Sequence, residues 1–109
     1  MPICGTAKRI NCVVDGDTIW LDGEKIRLET FNTPEMNGKC ARERRLAQQA
    51  TQRLRQILSS EPFKVSRNGK DRYGRTLATI SNSSGNVGDV LITEHLAHKW
   101  RGYKEGWCP

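Results

Sequence analysis

No apolar run in this 109-residue chain approaches the ~18 residues needed to span a membrane, so a membrane-embedded role is not expected. The first fourteen residues, Met1 to Val14, lack the apolar stretch of a secretory leader. The expectation is a protein that stays inside the cell, or one whose leader has been removed. No cysteine pair is spaced C-x-x-C, and the two histidines, His95 and His98, lie far from the four cysteines, which argues against structural zinc. There is no internal repeat, no low-complexity tract and no interdomain linker. Residues 1–109 are expected to form one domain with one modest core, burying roughly 60–70% of the unfolded surface.

The chain does have charge. Eighteen lysines and arginines against twelve aspartates and glutamates give a net charge of +6 and a pI near 9.5. That exceeds the ~9 that marks many nucleic-acid-binding domains, although a basic surface attracts any polyanion. Hydrophobic content of 36% and a mean hydropathy of −0.67 describe a soluble protein. Cys4, Cys12, Cys40 and Cys108 permit two disulfides in any of three connectivities. With two of them near the ends of the sequence, where a staple would restrain fraying, an oxidising compartment is favoured.

The first third reads as β-structure. Ile10 to Asp15 and Thr18 to Leu21 are rich in β-branched and aromatic residues, and Asp22-Gly23 is a hairpin turn. Lys25 to Phe31 alternates, so Arg27 projects from the face opposite Ile26 and Leu28. From Arg42 to Leu58 the period becomes helical, carried by Leu46, Ala50, Leu54 and Ile57 or Leu58. Strands follow at Phe63–Ser66 and Thr76–Ile80 with a turn at Asn68-Gly69. Asn86 caps a second helix running to about Ala97. The expected class is α+β, and a five-stranded barrel of the OB type with two helices accommodates this order.

Three patches carry chemistry. Asp15-Gly16-Asp17-Thr18 offers carboxylates to a hard cation, with Asp17 the better ligand and Asp15 behind it. Asn32-Thr33-Pro34-Glu35 offers a neutral oxygen at Asn32 and, at Glu35, a carboxylate able to take a proton from water. Asp71-Arg72-Tyr73-Gly74-Arg75 places an arginine at a strand entrance, where it can fork two phosphate oxygens, with Arg27 as a second cation. Together they are the inventory for metal-assisted cleavage of a phosphate ester.

The runs Val14–Ile19, Arg27–Glu35 and Asp71–Leu77 resemble the staphylococcal nuclease (thermonuclease) family in order and spacing. The resemblance extends from about Ile10 to Leu96. It implies an OB-type barrel and Ca²⁺-dependent hydrolysis of phosphodiester bonds in DNA and RNA, with a 3′-phosphate product. By position, it makes Asp17 a metal ligand, Thr33 a donor of a backbone carbonyl to the ion, and Glu35 the general base. Arg27 and Arg75 would stabilise the transition state, Arg72 and Tyr73 would contact substrate, and Tyr103 would stand for one base-contacting tyrosine. At Asn32 the staphylococcal enzyme has a metal-binding aspartate. Loss of that charge should weaken Ca²⁺ and could shift ion preference. The expected protein is a monomeric nuclease acting on DNA or RNA with little sequence specificity, and the rival reading is a nucleic-acid binder that has lost catalysis.

Overall fold

The computed structural model describes residues 1–109. It is a mixed α+β structure. Strand β1 (Cys12–Asp15), β2 (Thr18–Leu21) and β3 (Glu24–Leu28) form an antiparallel meander, followed by the short β4 (Phe31–Asn32). Helix α1 (Ala41–Ser60) precedes β5 (Lys64–Lys70) and β6 (Thr76–Asn82); β7 (Gly85–Asn86), α2 (Val87–Thr93) and β8 (His98–Lys99) complete the order.

The main sheet runs β1-β2-β3-β6-β5, with β7 paired to β6. The β3–β6 pairing is parallel, in the register Ile26↔Thr76, Arg27↔Leu77 and Leu28↔Ala78. Because side chains alternate across a strand, this register sorts the two strands together. Ile26, Leu28, Ala78 and Ile80 turn into the core, while Arg27 and Leu77 face a cleft on the other side. Nothing pairs β1 with β5, so the expected five-stranded barrel is met only as an open sheet of about six strands.

Helix α1 buries Ala47, Ala50, Thr51, Leu54, Ile57 and Leu58 against that core, matching the helical period of the sequence. Val13 and Ile19 join from the meander and Val87 and Leu91 from α2. Neither helix is long and apolar enough to cross a membrane.

Two local expectations are corrected. Asn68-Gly69 is not the hairpin turn but lies inside β5, where the register slips between Arg67 and Lys70 and Gly69 takes φ 78°. The turn comes at Asp71, whose Oδ1 accepts the N–H of Tyr73 at 2.9 Å and of Arg75 at 3.0 Å. Such self-bonding is the usual reason aspartate starts a turn. Helix α2 stops at Thr93 rather than Ala97 because His95 adopts φ 62°. His95 and His98 therefore share no helix face.

The cysteines pair as Cys4–Cys12 and Cys40–Cys108, leaving none free. The first bridge holds the N-terminal residues beside β1, where Cys4 N–H reaches Val13 O at 2.9 Å. The second ties residue 108 to the start of α1. Chain entropy grows with loop length, so a 68-residue separation contributes about 4 kcal/mol against about 2.5 for one of 8 residues. Thermal melting should therefore show Cys40→Ser/Cys108→Ser losing roughly 10 °C more than Cys4→Ser/Cys12→Ser. Equal losses would show that the long loop is already restrained when unfolded.

Candidate active site

The outward face of the β3–β6 pair opens into a cleft of about 610 Å³. It is lined by Asp15, Asp17, Arg27, Asn32 and Glu35 from the first half of the chain, and by Asp71, Arg72, Tyr73 and Arg75 from the β5–β6 turn. Trp100 and Lys104 close one wall. Three patches separated by as much as 60 positions in the sequence thus meet at one place.

Arg27 sits at the centre. Nη1 donates to Leu28 O, and Nη2 to Phe31 O at 3.3 Å and Asn32 Oδ1 at 2.9 Å. Nη2 also lies 3.4 Å from Asp17 Oδ2. A guanidinium has five N–H donors, so Nε and one hydrogen of Nη1 remain for a ligand. Beside it Thr30, a β-branched residue, is held at φ 80°. A conformation of that kind costs about 1–3 kcal/mol and persists only where the surroundings enforce it. The bond from Trp100 N–H to Thr30 O (2.9 Å) and the Arg27 contact on Phe31 O flank the strained residue.

The turn bearing Asp17 is pressed against the Thr33 segment. A Cβ at Gly16 would lie 2.7 Å from Thr33 Cγ2, so only glycine permits this approach. Asp17 Oδ1 accepts from the Thr18 hydroxyl at 3.2 Å, and Thr33 N–H points at Oδ2 from 3.4 Å. Asp15 Oδ1 accepts the Asp17 N–H at 3.1 Å. Burial, reinforced by the neighbouring charge of Asp17, pushes the Asp15 carboxyl up from 3.8 to about 7.

Asp15, Asp17 and the Asn32 amide oxygen line the cleft with oxygen donors of the kind that Ca²⁺ or Mg²⁺ takes. No group of three or more His, Cys, Asp or Glu side chains is arranged around one point, so neutral oxygens and water would complete any coordination. The donor set fits a hard divalent ion.

Glu35 is largely exposed and pairs with Lys104 Nζ at 3.1 Å. Arg75 is clamped by Asp71, Nε to Oδ2 at 2.7 Å. Burial works to raise the Asp71 carboxyl, but hydrogen bonds from the Arg75 side chain and from the N–H groups of Arg75 and Tyr73 hold it below its ordinary value. Tyr73, 69% exposed, lies beneath two guanidinium groups, Arg72 at 4.9 Å and Arg75 at 5.4 Å from the ring centre. Arg72 Nη2 also donates to the Tyr73 hydroxyl at 2.7 Å.

The structure gathers eight of the nine sequence-derived residues. Asp17, Arg27, Asn32, Glu35, Arg72, Tyr73 and Arg75 line the cleft, and Thr33 backs it through Asp17. Tyr103 does not line it, whereas Trp100 and Lys104 do. Reading the residues missed Lys104, which no motif marks. It also missed Glu43, which had a signal: an acidic residue three positions after the helix cap.

The Asp15 shift gives a signed prediction. The folded protein holds this proton more tightly than the unfolded chain, so raising the pH from about 4 to 7 withdraws it at the expense of the fold. The full cost is present above pH 7. In chelator, Asp15→Asn should melt several degrees above wild type at pH 8, and the gap should close near pH 4. A gap independent of pH would show that Asp15 does not titrate in this range.

The sequence that builds this cleft is similar to known proteins. The chain is 36% identical over 89 residues to the succinoglycan biosynthesis protein ExoI of Rhizobium meliloti (strain 1021), covering 77% of this chain and 44% of that protein. It is 25% identical over 100 residues to an uncharacterized endonuclease of Haemophilus influenzae, covering 87% and 53%. The chain therefore spans about half the length of the curated relatives it matches. A model of the staphylococcal nuclease homologue family matches residues 25–106, which takes in every cleft residue except those of the Asp15–Thr18 turn. With three quarters of its length matched, the chain belongs to the staphylococcal nuclease homologue family.

Proposed function

We propose that this protein is a metal-dependent nuclease that hydrolyses phosphodiester bonds of DNA or RNA with little sequence preference. The observation that carries the reading is the convergence of Asp17, Arg27, Asn32, Glu35 and Arg75 on one open cleft at a sheet face. In this reading residues 1–109 act as one OB-type domain and as a monomer.

In this reading Asp17, Asn32 and the Thr33 carbonyl hold a divalent cation, Ca²⁺ first among the candidates. Bound there, such an ion polarises a phosphoryl oxygen and offsets charge that develops on it. The remaining work falls to side chains. Glu35 takes a proton from the attacking water. Arg27, with Nε–H and one Nη1–H uncommitted, donates to the phosphate from the cleft face of the central strand β3. Arg75 exchanges one carboxylate oxygen of Asp71 for a phosphate oxygen, which keeps its guanidinium bonded before and after substrate enters. Tyr73 and Arg72, on the exposed turn, contact the nucleotide beyond the scissile bond. No element carries a base-edge-reading motif, so backbone contacts dominate and specificity is low.

One observation favours a second reading. The Asn32 amide oxygen already accepts a hydrogen bond from Arg27, and an amide brings no charge to a cation. A nuclease-like module that binds nucleic acid without cutting it would keep the basic cleft and dispense with the ion.

Incubating single-stranded DNA and RNA with the protein in Ca²⁺, in Mg²⁺ and in chelator separates the two. The nuclease cuts with metal, stops in chelator, and loses its activity in Glu35→Ala. Arg75→Ala should slow cleavage roughly 10²–10³-fold, the effect of removing one transition-state donor. Salt-sensitive binding indifferent to chelator, with no cutting in any metal, would establish the binder instead.

A further inference from the structure

The residue that aims Glu35 lies outside the cleft. We infer that Glu43 is a positioning residue for the reaction, fixing the backbone of Glu35 through a carboxylate buried beneath the loop. This rests on the nuclease reading of the same site.

Glu43 is the third residue of α1, whose cap is Cys40. Glutamate at this position ordinarily reaches back to the N–H of the cap residue itself. Here it reaches further. Oε1 accepts the Lys39 N–H at 3.2 Å, and Oε2 accepts the Glu35 N–H at 3.0 Å. The residue is 8% exposed and takes part in no salt bridge. Two backbone donors and the positive end of α1 are what balance its charge.

The surrounding chain is shaped to this one group. A Cβ at Gly38 would fall 2.5 Å from Glu43 Cγ and 2.6 Å from Cδ, so the loop passes over the side chain only because residue 38 is glycine. Gly38 N–H bonds Glu35 O at 3.0 Å, and Arg44 Nη1 bonds Gly38 O at 2.8 Å. The Cys40–Cys108 bridge lies alongside, with Cys108 Sγ 3.8 Å from Oε1. A carboxylate serving only α1 would have no reason to bond Glu35. Holding that N–H fixes the Cα from which the Glu35 side chain enters the cleft, and small errors of aim in a reacting group cost as much as ~10²-fold in rate.

Glu43→Gln keeps the size but has one amide oxygen for two N–H donors. Expected is a ~10–100-fold fall in kcat on single-stranded DNA with KM unchanged, and faster amide exchange at Glu35 and Lys39. In a Glu35→Ala background the same substitution should change the residual rate no further, because the group it aims is gone. Gly38→Ala displaces Glu43 without altering its charge and should reproduce the kcat loss if Glu43→Gln folds poorly. Unchanged kcat in both variants, or an equal further loss on top of Glu35→Ala, overturns the inference while leaving the nuclease intact. A wild-type protein inactive with every metal overturns the nuclease reading first, and this inference with it.

Discussion

The Arg27 guanidinium holds together two things that would otherwise be separate, the bend in the chain and the site. Where the chain passes from β3 to β4, the carbonyls of Leu28 and Phe31 accept from Arg27, and buried carbonyls must be bonded to something. Arg27 supplies both bonds, then reaches Asn32 and Asp17 with the same planar group. A lysine would bring charge without the fork and would leave carbonyls unpaired. The bend in turn keeps Thr30 in its strained conformation and sends the chain towards Glu35. Fold and chemistry depend on one side chain here.

Electrostatically the cleft is a set of provisional pairs. Asp17 faces Arg27, Asp71 clamps Arg75, and Glu35 meets Lys104. Each cation is bonded, none is sealed in, and each pair borders the same open volume. Paired side chains of this kind are oriented in advance, so under the proposed nuclease reading a phosphate would replace a carboxylate instead of ordering a loose arginine. Asp15 is the exception, a buried carboxyl whose nearest charge has its own sign.

How much of this was legible depended on the range of the interaction. Local chemistry read well: Asp22-Gly23 makes its hairpin, Ala50 and Leu54 point inward from α1, and Asn86 caps α2 through Gly88 N–H and Asp89 N–H. Asn68-Gly69 misled because composition favours a turn there, while the Asp71 carboxylate, bonding two N–H groups, settles the turn three residues later. The β4–β8 pair was invisible: two-residue strands carry no period, and their partners lie 66 or more positions apart. That pair turns Trp100 into the cleft and leaves Tyr103 outside it. Likewise the four cysteines allowed three pairings, and only the packing of residue 108 over the start of α1 selects one. Seven of the cleft residues could be named from short motifs because each patch is contiguous. Glu43 carried only its place three positions after the helix cap, because its bonds to Glu35 and Lys39 depend on a loop folding back over a helix end.

The Cys40–Cys108 bridge has a consequence in time. During synthesis the segment carrying Glu35 and Glu43 is complete long before residue 108 exists, since 68 positions separate the two sulfurs. Until that later cysteine has been made and oxidised, Lys104 and Trp107 have no covalent anchor beside the loop they cover. The bridge beside that loop can therefore close only once residue 108 has been made, and that order is written into where the two cysteines fall along the chain.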